Sequence, residues 1–350
     1  MIFDNQKISM RQTNALFIAE VFAAAVVFMP SMVWNIMGGK GLFAAALAIG
    51  GLLISVFIIR LVYRRNCDSF GAAVHNALGK KIGNILLIAF WVKIMVVSGL
   101  WLREFSGVIH STMLGSVPYQ FIAAVIAVIC FYLAQKDIEV RGRTAEIFII
   151  VMALLFIPVL FAVALGADYT NLLPFKGFKA GDTVKAALVV FASLGSADYL
   201  LFLYPKTNIG KGGMAPAVAI VGVLLICTMA VVYSVFGSSV ADKSWPVLNM
   251  MDTVDFPGAF IERQDVFMIG FWILSFYIYI SGGITYGTYL MEEVTGKTNY
   301  LVSGIIIYAA AVLKSVFAFD ISRVMFITTP VFLVAVPVML LIFSGRRSRQ

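Results

Sequence analysis

Residues 191–205 read FASLGSADYLLFLYP, inside a run otherwise apolar enough to cross a membrane. Glycine and serine weaken a helix, and a carboxylate is costly away from water. The stretch Leu194-Gly195-Ser196-Ala197-Asp198 is therefore either the end of a helix near the membrane surface or a break built into a spanning one. The rest of the chain bears on the choice.

The 350 residues are 61% hydrophobic and 13% charged. A soluble protein of that size cannot bury so much apolar surface, so lipid must be most of the solvent. A spanning helix takes about 20 mostly apolar residues. Ten such segments are read at 14–37, 41–63, 83–102, 119–135, 144–166, 184–204, 215–237, 265–289, 300–318 and 324–343. The fold class is an all-α polytopic membrane protein, a single transmembrane domain over residues 1–350. The polar opening MIFDNQKISMRQTN does not read as a cleavable signal peptide.

Orientation follows from Lys and Arg. Sixteen lie on the face shared by both termini and eight on the other, with Lys93 and Lys314 inside spans. Both termini are thus expected in the cytoplasm. The net charge of +8 reads as topology, not as nucleic-acid binding. The longest outer loops, about 167–183 and 238–264, leave no room for a soluble domain; the second reads equally as a structured cap or a connector. Cys67, Cys130 and Cys227 show no disulfide or metal spacing. His75 and His110 fall in predicted loops, and no catalytic motif is present. No enzyme, cofactor or metal is expected.

Ten spans divide into 14–166 and 184–343, five helices each. An odd number per half inverts the second half in the membrane, as in inverted-repeat transporters. The first helix of each half is then broken at the midplane. FASLGSADYLLFLYP falls in the sixth span, at the required place. Its counterpart in the first span has Ala23-Ala24-Ala25 and then Pro30, with no glycine before Gly38.

Ionisable groups inside spans are functional candidates because they are expensive there. Glu20, Lys93, Asp198 and Lys314 qualify. Glu20 is read as half of an ion pair or as a proton carrier. Lys93 is read as a fixed cation, as a partner for Glu20, or as a snorkelling side chain. Lys314 is read as snorkelling. At the break, freed backbone groups must find partners, and a ligand with an ammonium and a carboxylate supplies both. Ser193, Gly195 and Ser196 are the expected ligand contacts there, with Asp198 beside them. Ser275, Tyr279 and Gly283 share a face of the eighth span, which reads as a cavity lining or as close helix packing. Trp34 and Trp101 read as interfacial aromatics.

Several stretches together resemble the B subunit of spore germinant receptors. The opening of that family, Ile-Ser-x-x-Gln followed by a small-residue helix and a proline, corresponds to Ile8, Ser9, Gln12 and Pro30. A Leu-Arg-x-Phe element with a downstream proline corresponds to Leu102, Arg103, Phe105 and Pro118. The segment after the fourth span matches at Ile138, Glu139, Arg143, Ala145 and Glu146, with Asp137 in place of a glycine. NLLPF and Glu262-Arg263 also fit.

The resemblance covers nearly the whole chain. It implies the ten-helix, LeuT-like inverted repeat of the amino acid–polyamine–organocation superfamily, with broken first and sixth helices. It implies a receptor subunit in the spore inner membrane that senses a nutrient, often an amino acid, beside a membrane A subunit and a lipoprotein C subunit. The pocket would lie between helices one, three, six and eight. Ala23, Ala24 and Ala25 would stand where the superfamily has its glycine-containing break. Proton-coupled amino-acid transport, with Glu20 or Asp198 handling the proton, and a scaffold subunit that binds nothing are the rival readings.

Overall fold

A computed structural model of the chain describes residues 7–27, 29–64, 69–173, 177, 179–208, 212–250, 265–313 and 320–347. Cys67, Pro174, Phe175, Glu262, Arg263 and Lys314 lie outside the described residues, as do 251–264 of the second long loop and the side chain of Ala23.

The helices are α1 (Met10–Val26), α2 (Met29–Met37), α3 (Gly41–Tyr63), α4 (Phe70–Leu78), α5 (Lys80–Thr112), α6 (Tyr119–Ala134), α7 (Ile138–Leu165), α8 (Ala180–Ser193), α9 (Leu200–Leu203), α10 (Ala215–Phe236), α11 (Pro246–Asn249), α12 (Asp265–Thr295), α13 (Tyr300–Val312), α14 (Ile321–Thr329) and α15 (Val336–Arg347). Among the described residues, six helical stretches are long and apolar enough to cross a membrane, and a seventh is the pair 180–193 and 195–206, bent by 50°.

The exposed face of these helices is as apolar as the buried one, unlike that of a water-soluble helix. Along α7, Ile147, Ile150, Leu154, Ile157, Phe161 and Leu165 are exposed, at spacings of three and four. The opposite stripe, Ala145, Met152, Phe156 and Val163, is buried. An apolar stripe this wide is stable only against lipid.

Local chemistry explains the ends. Ser9 and Gln12 form a capping box on α1: the Ser9 hydroxyl accepts the Gln12 amide and the Gln12 side chain accepts the Ser9 amide. The Ile-Ser-x-x-Gln pattern is thus the start signal of a helix. Proline clashes with the carbonyl four residues before it. For Pro30 that residue is Val26, where α1 stops. The second helix starts at Met29, so Pro30 falls in its first turn, where a missing N–H costs nothing.

Helices also run past the hydropathy limits. The fifth, read as 83–102, continues to Thr112 because Arg103 donates to the carbonyls of Ala310 and Ala311 at the end of α13, at 2.6 and 2.7 Å. His110 consequently sits in α5 rather than in a loop, and His75 sits in α4, a separate helix capped by the Ser69 hydroxyl. On the face opposite the N-terminus, Asp168 starts a turn over Tyr169–Leu172. Hydrogen bonds from the Thr170 hydroxyl and amide hold its carboxyl below the ordinary value.

One feature is non-local. Residues Ile8–Ser9 (β1) pair in parallel with Thr207–Asn208 (β2), Ile8 opposite Thr207. The Thr13 and Thr207 hydroxyls bond at 2.8 Å. The start of α1 and the end of the bent segment are therefore fastened together on one face.

Candidate functional site

The bent segment breaks where its sequence weakens it. Ser193 turns its hydroxyl back onto the Val190 carbonyl at 2.7 Å. A 3-10 turn, Gly195–Tyr199, follows, and α9 resumes at Leu200. Gly/Ser pairs are a recognised cause of such kinks. The Ser196 hydroxyl donates to the Glu20 backbone carbonyl at 2.9 Å, joining the break to α1.

Four charged side chains surround this junction, each 6% exposed or less. Lys93 on α5 donates to Asp198 Oδ2 at 2.6 Å. Arg141 on α7 donates to Glu20 Oε1 at 3.2 Å, and Tyr286 on α12 donates to the same oxygen at 3.0 Å. Lys93 does not pair with Glu20. The partner of Glu20 is Arg141, which reads in sequence as part of a charged loop and is wholly buried. In formal charge the set balances, with two acidic and two basic side chains. Asp198 Oδ1 and Arg141 Nε and Nη1 find no hydrogen-bond partner among the described residues.

Glycine makes the layer possible. A Cβ on Gly282 would stand 2.7 Å from Glu20 Oε1 and 3.0 Å from Arg141 Nη2. The Gly283 position faces Ser98 and Tyr199, whose hydroxyls lie 3.3 Å apart. Tyr199 stacks on Tyr279, centroids 5.6 Å apart, and packs against Tyr286 at 4.8 Å. Tyr279 is thus buried within the aromatic layer, and small residues at 282–283 serve close packing.

Two cavities flank this layer. One, about 290 Å³, is lined by Ala24 and Ala25 of α1, Met29 and Met32 of α2, Trp101 of α5, Val189, Ala192 and Ser193 of α8, and the α14 run from Ile321 to Ile327 except Val324. Its walls are mostly apolar, with Ser193, Ser322 and Arg323 the polar side chains among them. Trp101 is buried here, not placed at an interface. The other, about 410 Å³, lies on the β1–β2 side and is lined by Ser69 and Phe70, by Phe202 and Lys206, and by Glu292 and Glu293. Phe202 separates it from the charged layer: it stacks on Tyr286 at 5.4 Å and packs against Phe70 and Phe90 at 5.2 and 5.3 Å.

The structure brings Ala24, Ala25 and Ser193 to one cavity, and Glu20, Lys93, Asp198 and Ser196 to one charged layer. Gly195 adjoins neither opening: a Cβ there would strike Thr329 Oγ1 on α14. Ser275 lies apart, donating to Met152 Sδ at 2.9 Å beside a separate apolar groove. Sequence reasoning missed Arg141, Tyr286 and all of α14. Arg141 had a signal: Ile138, Arg141, Gly142 and Ala145 follow helical spacing and are all buried, while Glu139 and Arg143 pair outside at 2.5 Å.

The family model described as "Spore germination protein" matches residues 7–324. The chain is 21% identical over 285 residues to Spore germination protein YndE of Bacillus subtilis (strain 168), covering 79% of this chain and 78% of that protein. It is 24% identical over 295 residues to Spore germination protein KB of the same organism, covering 79% and 77%. Spore germination protein A2, also from Bacillus subtilis (strain 168), is 22% identical over 248 residues. Among solved structures, a mutant of the Eremococcus coleocola manganese transporter superposes with a TM-score of 0.59 at 14% identity, over 95% of this chain and 78% of that one. At that identity the likeness speaks for the fold alone.

Proposed function

The chain belongs to the spore germination protein family, and from that premise we propose that it is the nutrient-sensing membrane subunit of a spore germinant receptor. An amino acid is the ligand, seated in the cavity of about 290 Å³. The observation that carries this reading is the position of that cavity. It lies where α1 gives way to α2 and where α8 breaks, so a ligand there touches both interrupted spans at once. Helix ends facing a cavity offer unpaired backbone groups and dipole charge to an ammonium and a carboxylate.

In this reading the chain has ten spans in two inverted halves, 14–166 and 184–343. The first, third, sixth and tenth spans form the pocket, the tenth taking the place expected for the eighth, none of whose described residues lines that cavity. Both termini are cytoplasmic in the spore inner membrane, and a membrane A subunit and a lipoprotein C subunit read the change of state. A ligand shifts such an equilibrium only by its differential affinity for the two states. Both buried carboxylates already hold a cation, which favours a state-holding role over a free proton carrier and so favours sensing over proton-coupled transport.

The test is the thermal stability of the purified protein against the twenty amino acids, with uptake into proteoliposomes measured beside it. Stabilisation by one class without uptake is the expected result. Uptake driven by a proton gradient would move the assignment to a transporter, and no stabilisation by any amino acid would move it to a scaffold.

A further inference from the structure

The tenth span holds a feature that ligand binding by itself does not explain. Thr329 ends α14 and is fully buried. A helical threonine ordinarily bonds the carbonyl four residues back, as Thr328 does to Val324 at 2.8 Å. Thr329 instead reaches to another helix. Its hydroxyl donates to the Ala192 carbonyl, in the last turn of α8, at 3.0 Å.

That carbonyl belongs to a residue lining the cavity, and Met325, one turn before Thr329, lines it too. Gly195 leaves the notch into which the threonine fits, since a Cβ there would meet Thr329 Oγ1 directly and Met325 Cε at 3.5 Å. Directly after Thr329 the helix widens into a π-helical stretch, Pro330–Ala335. Such stretches are frequent at functional sites. The proline lacks an N–H, so α14 is joined to α15 by a weakened turn.

We propose that Thr329 is a built-in occupant of the ammonium subsite: its hydroxyl holds the α8 break closed on α14 until a ligand ammonium takes the Ala192 carbonyl from it. The chemistry matches. A hydroxyl and an ammonium both donate to a carbonyl at the negative end of a helix, and the charged donor makes the stronger bond. A ligand with a free primary amine can then win the exchange, and one with a blocked amine cannot. This inference rests on the ligand site proposed above, so the experiment has one arm that needs no ligand.

In the full-length protein with Cys67, Cys130 and Cys227 replaced by serine, Ser193→Cys reports on the cavity through its rate of modification by trimethylammonium-ethyl methanethiosulfonate. Thr329→Val and Thr329→Ala remove the hydroxyl and Thr329→Ser keeps it. Loss of one hydrogen bond across the break is expected to raise the rate by about tenfold in the first two, with the serine variant matching the parent. Equal rates in Val, Ala and Ser variants would overturn the proposal, since packing alone would then account for Thr329. The second arm compares thermal stabilisation by free and N-acetylated amino acids. Thr329→Val should sharpen the response to free amines only. An equal gain for the acetylated forms contradicts the exchange. If no amino acid stabilises any variant while the reagent arm still separates Val from Ser, the latch stands and the amino-acid reading falls.

Discussion

On one side of the α8 break, an apolar cavity is walled by Ala24, Ala25, Met29 and Ser193. On the other, Glu20, Arg141, Lys93 and Asp198 are packed between aromatic rings. The same interrupted helices furnish both regions. The cavity has a single charged side chain in its wall, Arg323 at the α14 end, and has room for a guest. The charged layer is closely packed and joins α1, α5, α7 and the break through bonds that fail if one member is lost. This division suits recognition on one side and the holding of a state on the other.

The comparison is most exposed to attack at the ion pairs. Asp198→Asn leaves the Lys93 ammonium buried without its counter-charge, which should destabilise the protein by about 3–5 kcal/mol, read as thermal unfolding in detergent. Replacing both partners, Lys93→Met with Asp198→Leu, should recover most of that loss, because the cost lies in the orphaned charge. A single variant as stable as the double would show that water reaches the layer and that the two regions are not so different.

Gly282→Ala drives a methyl against the Glu20–Arg141 pair and should cost about 1–3 kcal/mol by overpacking. The same methyl at Gly50, which meets nothing within 4 Å, should be neutral, and a matching loss there would remove the special status of the layer. Ser9→Ala deletes the α1 cap and should cost about 1 kcal/mol, measured by the same melt. The smallest effect is expected at the exposed Glu139–Arg143 pair, where Glu139→Ala should change stability by less than about 1 kcal/mol.

The two regions also differ in how far sequence reveals them. The break was legible because Gly195 and Ser196 interrupt an apolar run, and the span of 41–63 was legible because α3 carries no charge before Arg60 in its last turn. Lys93, Asp198 and Glu20 announced themselves as charges in lipid. Their pairing did not, because it depends on which faces of distant helices meet. Arg141 was hidden among Glu139 and Arg143, and only helical spacing separates the buried one from its solvated neighbours. The pairing of Ile8 with Thr207 leaves no local mark in either stretch. Nor does the approach of Thr329 to Ala192, which needs α14 placed in three dimensions first.

The most direct test takes whichever amino acid stabilises the wild-type protein and measures its binding to two variants. Ser193→Phe fills the cavity, and the Lys93→Met/Asp198→Leu double removes an ion pair without touching the cavity wall. The account predicts that Ser193→Phe stays folded and loses binding, while the double variant binds the same ligand. Binding that survives Ser193→Phe and vanishes in the folded double variant would contradict it and move the ligand into the charged layer.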